Sequence, residues 1–169
     1  MGSASTATPD RTAASVSADA VLRLVYRSRS RSRSRSRIEP ARSGLAMSDI
    51  LGVARSKNTA LGITGALMLY QDWFAQVLEG DEARVRALFA TIRADGRHGS
   101  VQVTEQFGGV RRTFQRWAMA YVGEHGQPDA PQVATPTGTA AAAPWRLSDE
   151  QEKVVAELRN LTRGYGVGS

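Results

Sequence analysis

The chain has 169 residues, of which 41% are hydrophobic, and this is enough for one domain of ordinary size with a buried core. It contains no cysteine, which excludes disulfides, thiolate metal sites and thiol nucleophiles and is compatible with a reducing cytoplasm. The net charge of +6 is matched by the six arginines that alternate with serine from Arg27 to Arg37. The rest of the chain is therefore neutral overall, and no broad basic surface is expected.

The first part of the chain predicts little regular structure. Residues 1–19 are rich in Ala, Ser and Thr without periodicity, which indicates a disordered segment. Val21–Tyr26 is typical of a strand. The Arg-Ser run at 27–37 has no apolar residue after Tyr26 and repels itself, so we expect a solvated loop there. Apolar residues at helical spacing after the run predict an amphipathic helix that ends near Asn58.

The following elements complete a domain over 20–123. Two strands, a helix and two further strands are predicted at Ile63–Tyr70, Trp73–Glu79, 81–95, Val101–Phe107 and Thr113–Val122. The order β-α-β-β-α-β-β is that of a ferredoxin-like split βαβ sandwich, an α+β fold with two helices on one face of a mixed sheet.

The C-terminal part predicts a linker and a third helix. Residues 124–146 are rich in Gly, Pro, Thr and Ala and are expected to form the linker. A helix is predicted at 147–164, because Ser148 and Gln151 have the spacing of a capping box and an apolar stripe follows them. No run of about eighteen apolar residues occurs, so we expect no membrane association and a cytoplasmic location.

Two polar residues interrupt the apolar faces of the first and third strands. Period-two spacing places Tyr26 with Leu22 and Leu24, and Gln76 with Phe74 and Leu78. In the predicted fold these strands are central neighbours, so the phenol and the amide can approach each other beneath the helices. They either satisfy each other within an ordinary core or contact a bound ligand.

Five spaced motifs resemble those of the BLUF family, blue-light sensors that use flavin. The resemblance extends from about Val21 to Val122. The motifs are Leu22-Arg23-Leu24-Val25-Tyr26-Arg27-Ser28, Asn58 before Gly62-Ile63-Thr64-Gly65, Phe74-Ala75-Gln76-Val77-Leu78-Glu79-Gly80, Asp95-Gly96-Arg97-His98 and Trp117-Ala118-Met119.

The resemblance implies a non-covalently bound flavin between the two helices, with FAD as the family's usual ligand and FMN or riboflavin as alternatives. Tyr26 would donate an electron coupled to a proton, and the Gln76 amide would change its hydrogen bonds by rotation or tautomerisation. The resemblance also implies that Ser28, Asn58, Arg97 and His98 contact the flavin. Trp117 and Met119 would point inward from the last strand and be part of the photoactive site.

The expected function is therefore that of a photoreceptor and not of an enzyme. It would signal to an unidentified protein partner, with a homo-oligomer as a further option; no metal is expected, and nucleic acid is not an expected partner. Two alternatives remain at this stage: an RNA-binding module that uses the Arg-Ser run, and a light-insensitive interaction scaffold. The run is also a departure from the family, since it lengthens the first connection by about eight residues, which costs little loop-closure entropy.

Overall fold

The structure is a computed structural model that describes residues 20–31, 40–122, 132–135, 138–141 and 146–163. The elements in chain order are β1 Ala20–Ser30, α1 Pro40–Leu61, β2 Thr64–Tyr70, β3 Trp73–Gly80, α2 Glu82–Ala94, β4 His98–Arg111, β5 Ala120–Val122, β6 Gln132–Thr135, β7 Gly138–Ala141 and α3 Asp149–Arg163.

The main sheet has five strands in the order β4-β1-β3-β2-β5. Strand β1 is central and antiparallel to both β3 and β4, and β2 and β3 form the expected hairpin around Gln71 and Asp72. Strand β5 pairs with β2 in parallel, which makes the sheet mixed. This is the ferredoxin-like α+β arrangement that the sequence predicts.

Two separate cores cover the two faces of this sheet. On one face Leu24 and Tyr26 pack with residues of α1 and α2, among them Val85 and Phe89. On the opposite face the core includes these residues of the sheet and of α3: Val25, Ala66, Met68, Ala75, Val77, Val154, Val155, Leu158 and Leu161. Alternate residues of one strand thus face different cores, as the pleat requires. Helix α3 is therefore a structural layer of the domain.

The Arg-Ser run does not begin as a loop, which corrects the prediction for 27–37. Strand β1 continues to Ser30 and pairs on both sides, with Ser28 opposite Phe74 and Ser30 opposite His98. Ser28 and Ser30 are buried, whereas Arg29 is exposed. An alternation of small polar and charged residues has the same period as a strand, so neighbouring strands can order a segment that composition alone assigns to solvent. The rest of the run, at 32–37, lies outside the described residues, as does the segment 1–19.

Three further predictions need correction. The strand predicted at Thr113–Val122 is reduced to β5, because other groups hold the backbone of 113–119. The linker predicted at 124–146 contains the antiparallel hairpin of β6 and β7. Strand β4 extends beyond the predicted Val101–Phe107 at both ends and runs through Gly108 and Gly109.

Candidate functional site

Tyr26 and Gln76 lie directly opposite each other on the two central strands, as predicted. The Tyr26 hydroxyl donates a hydrogen bond to Oε1 of Gln76. Both side chains are buried, with exposed fractions of 1% and 7%. The antiparallel register of β1 and β3 therefore positions a phenol and an amide in direct contact on the face covered by α1 and α2.

The amide nitrogen of Gln76 has a weak partner. Its Nε2 donates to Sδ of Met119 at 3.3 Å. A thioether sulfur is a poor acceptor in comparison with a carbonyl oxygen or a ring nitrogen. Tyr26, Gln76 and Met119 thus form a chain of hydrogen bonds. In its last bond the Gln76 amide, a strong donor, is paired with the Met119 sulfur, a weak acceptor.

The Tyr26 phenol stays protonated over the physiological range. Burial raises the pKa of Tyr26 well above its ordinary value of 10.0, because a phenolate would lose its hydration. The ring of Phe89 lies 5.1 Å from the ring of Tyr26, centroid to centroid, at an angle of 55°. The phenol is therefore a neutral hydrogen-bond donor to the Gln76 amide.

Asn58 connects helix α1 to the residues that precede β5. It is 2% exposed, and its Nδ2 donates to the carbonyl of Ala118 at 2.8 Å. Its own carbonyl accepts from the backbone nitrogen of Ile63 at 2.8 Å, as expected near a helix end. Arg55, one turn earlier, donates from Nε to the carbonyl of Met119 at 2.9 Å. Asn58 thus combines a helix-end role with a contact next to Met119.

Ser28 and His98 form a second polar pair. The Ser28 hydroxyl lies 2.8 Å from Nδ1 of His98, and the ring of Phe74 lies 5.2 Å from the His98 ring. Burial lowers the pKa of His98, although the nearby Asp95 opposes the shift. The imidazole is therefore mainly neutral near pH 7.

Arg97 does not join this pair through its side chain. Its guanidinium donates to Asp95 at 2.5 to 3.0 Å, and 63% of the side chain is exposed. Hydrogen bonds from Arg97 lower the pKa of Asp95 to about 2. The structure therefore assigns the Arg97 guanidinium to a surface ion pair in the turn before β4.

Trp117 and Met119 lie on opposite faces of the sheet, which corrects the expectation that both point inward from a strand. Trp117 packs in the core under α3, where its ring lies 6.3 Å from that of Phe114. Its carbonyl accepts from the backbone nitrogen of Gly65 at 3.1 Å. A Cβ atom at Gly65 would lie 2.0 Å from the carbonyl oxygen of Val77, which explains why glycine stands in this motif.

Two groups in this region were not predicted from the sequence, the buried carboxylate of Glu79 and the Arg55 guanidinium that bonds to the Met119 carbonyl. Glu79 has no exposed surface, and it continues an alternation in which Ala75 and Val77 face the α3 core. A charged residue in that register is the same kind of signal as Gln76 on the other face. Arg55 left no comparable signal, because helix surfaces commonly carry arginine.

The polar groups around Gln76 fit a flavin. The isoalloxazine ring presents carbonyl oxygens and ring nitrogens that accept hydrogen bonds, and the Nε2 group of Gln76 is a buried donor whose acceptor among the described residues is the weak Met119 sulfur. Asn58 adds a second buried amide on the same side of the sheet. Among the described residues, no group of three or more His, Asp or Glu side chains is arranged to hold a metal ion.

The structure is thus a small α+β domain with a buried hydrogen-bond chain on the sheet face covered by α1 and α2. The family described as "BLUF: Sensors of blue-light using FAD" matches residues 21–120, and the chain belongs to that family. It is accordingly a flavin-binding blue-light sensor, as the resemblance predicts.

Relatives of known name agree with this family. The photoactivated adenylate cyclase subunit alpha of Euglena gracilis is 33% identical over 73 residues, which is 43% of this chain and 7% of that protein. Subunit beta of the Euglena longa cyclase is also 33% identical over 73 residues, 8% of its length. The match thus spans less than a tenth of these relatives.

Solved structures match a larger share of the chain. BlsA in its photo-activated state is 31% identical with a TM-score of 0.55, over 62% of this chain and 71% of that one. The dark state of BlrB is 30% identical with a TM-score of 0.52, over 62% and 74%. BlrP1 of Klebsiella pneumoniae is 23% identical with a TM-score of 0.58, over 85% of this chain and 36% of that one, and supports the fold alone.

Proposed function

We propose that this chain senses blue light through the hydrogen-bond chain Tyr26–Gln76–Met119 and passes the signal to a separate protein partner. The observation that carries the proposal is the direct bond from the buried phenol to Oε1 of Gln76, with the other end of the same amide held by Met119. The Gln76 amide thus contacts the oxidisable Tyr26 phenol through its oxygen and the weakly accepting Met119 sulfur through its nitrogen.

The proposed mechanism uses the chain's own groups as follows. A bound flavin would supply blue-light absorption and an electron-accepting ring. Tyr26 provides that electron, and its proton moves along the bond to Gln76, since no other side chain is bonded to the hydroxyl among the described residues. When the electron and the proton return to Tyr26, the neutral phenol is restored, and the Gln76 amide keeps a changed set of hydrogen-bond partners that alters its contact with Met119.

Two finer assignments belong to the same proposal. We assign FAD as the ligand, in line with the family's description, with FMN and riboflavin distinguished by chromatography of the flavin released on denaturation. Ser28, Asn58 and His98 are proposed to contact the flavin, as buried or half-buried polar groups near Gln76. Arg97 is proposed to contact the flavin as well, by exchange of one of the bonds that its guanidinium and its backbone nitrogen donate to Asp95.

The chain's own activity is proposed to be sensing without catalysis, in the cytoplasm. A second copy of the chain is a further option for the partner. No helix in the described ranges is long and apolar enough to cross a membrane.

The proposal is tested by absorption spectra of the purified protein in darkness and after blue light. We expect flavin bands that shift slightly to the red and recover in darkness, with the shift lost in Tyr26→Phe and in Gln76→Leu. Tyr70→Phe and Gln102→Leu are matched controls, because Tyr70 is only half-buried and Gln102 bonds to Arg27 at the surface. A protein that binds flavin but gives the same shift in Tyr26→Phe would overturn the proposed relay.

A further inference from the structure

Glu79 is a fully buried carboxylate that lies three residues after Gln76 on β3. A charge in such a place is costly unless several donors surround it. Arg23 donates from Nε to Oε1 at 2.8 Å. The backbone nitrogens of Thr113 and Phe114 donate to Oε2 at 2.9 and 2.8 Å. Glu79 therefore holds a stretch of backbone that lies outside the strands of the sheet.

That stretch is residues 113–119, called here the 113–119 segment, between β4 and β5. At its beginning it is attached to Glu79, and the Arg23 guanidinium also donates to Oγ1 of Thr113. At its end it is attached to Gln76 through the sulfur of Met119. Strand β3 thus holds both ends of the segment, by side chains that point to opposite faces of the sheet.

The beginning of the segment is also bonded to α3. Gln151 is 9% exposed and donates from Nε2 to the carbonyl of Thr113 at 2.8 Å. The same side chain accepts from the backbone nitrogen of Ser148 at 3.0 Å, which makes it part of the capping box that begins α3. Thr113 is therefore bonded to Glu79 through its nitrogen and to the first turn of α3 through its carbonyl.

We propose that Glu79 is a positioning residue that couples the 113–119 segment to the first turn of α3, so that a change of hydrogen bonding at Gln76 alters the stability of that turn. The inference rests on the function proposed above and names the route by which its signal reaches α3. A shift of Met119 moves the end of the segment. Because the Glu79 carboxylate holds the nitrogens of Thr113 and Phe114, the segment cannot follow this shift as a whole, and the change in strain falls on the bond between Thr113 and Gln151. Apolar packing of α3 alone would not depend on this carboxylate.

Gln151→Glu separates this coupling from helix stability. Glutamate serves a capping box as well as glutamine does, but its carboxylate cannot donate to the Thr113 carbonyl. Glu79→Gln is the complementary variant, because an amide replaces one acceptor oxygen with a donor that faces other donors. Glu150→Gln, on the exposed first turn of α3, is the matched control.

The experiment measures amide hydrogen exchange of peptides from α3 in darkness and under blue light, together with the light-induced absorption shift. In wild type and Glu150→Gln we expect light to change the exchange rate of residues 149–155. In Gln151→Glu and Glu79→Gln we expect a normal absorption shift and a light-dark difference in α3 reduced at least threefold.

The inference would be overturned if the ratio of the α3 exchange rates in light and in darkness were the same in Gln151→Glu as in wild type. A bond with a merely structural role would speed up exchange in darkness and leave this ratio unchanged. The result for Gln151→Glu decides the question even if Glu79→Gln fails to fold, because the two variants test the coupling independently. Loss of the absorption shift in wild type would instead contradict the function proposed above.

Discussion

At the scale of single residues, the site consists of polar groups that the sequence places among apolar neighbours. Gln76 and Glu79 occupy opposite faces of β3, and each bonds to one end of the 113–119 segment. Burial of such groups is favourable only when their partners are in place, because an unpaired buried polar group costs about 1–3 kcal/mol. No buried side-chain nitrogen or oxygen among the described residues is without a partner. Replacement of one member therefore disturbs its neighbours.

Asn58→Ala is expected to weaken flavin retention. The substitution removes a buried amide and leaves the Ala118 carbonyl without its donor. A lost buried hydrogen bond of about 1–3 kcal/mol corresponds to roughly 5- to 150-fold in the dissociation constant. Flavin titration of the apoprotein, followed by fluorescence, measures this. Thr59→Ala, an exposed neighbour on α1, serves as the control, and equal affinities in the two variants would remove Asn58 from the site.

At the scale of elements, the boundary between β4 and β5 was the least predictable part of the fold. Period-two apolar spacing over 113–122 resembles a strand, but donors and acceptors from β2, β3, α1 and α3 hold residues 113–119. The sequence marks Glu79 as a charged residue in a buried register, but it contains no signal for which distant backbone groups that carboxylate would bind. The Tyr26–Gln76 pair was predictable, because strand order and period alone bring these residues together.

The first part of the Arg-Ser run shows the limit of composition at the same scale. Pairing with β3 and β4 orders Arg27–Ser30, with serines on one face and arginines on the other. The Arg27 guanidinium lies 5.0 Å from the Trp73 ring and bonds to Gln102 at 3.1 Å. The low-complexity composition predicted a loop at 27–30, whereas the alternation of Arg and Ser with a period of two matches the strand that is found.

The attachment of α3 is expected to depend on pH through Glu157. Burial and the adjacent Glu105 on β4 raise the pKa of Glu157 from its ordinary 4.5 to about 7, while Arg23 on β1 opposes the shift. Between those values the folded state holds a proton that the unfolded state has released. Stability therefore falls as pH rises from about 4.5 to about 7.

Thermal unfolding at pH 5.5 and 8.5 measures this effect. Because Glu157 is partly exposed, solvent screening limits the difference to about 1 kcal/mol, or roughly 2–4 °C in Tm at this chain length. In Glu157→Gln we expect the decrease in Tm due to Glu157 between pH 5.5 and 8.5 to disappear. Glu150→Gln should show the same decrease as wild type. Burial lowers the pKa of His98 in all three proteins alike, so the comparison between them isolates Glu157.

At the scale of the whole molecule, the charge of +6 is not distributed over the surface of the domain. The chain has 22 basic and 16 acidic residues, and the alternating run contains six of the basic ones. The field that attracts a polyanion is thus confined to one segment, whereas the flavin site depends on neutral groups. Charge and photochemistry should therefore be separable by substitution.

Substitution of Arg31, Arg33, Arg35 and Arg37 by serine tests this separation. It lowers the net charge from +6 to +2, and it leaves Arg27 on the Trp73 ring. We expect the absorption shift and Tm to stay as in wild type. Any binding to single-stranded RNA at low salt should weaken, and the log-log salt slope should become shallower by about 3, since each neutralised phosphate contributes about 0.7. If the absorption shift were lost together with RNA binding, the run would be part of the flavin site. If the shift alone persisted and wild type bound no RNA, the run would have no role as a nucleic-acid interface.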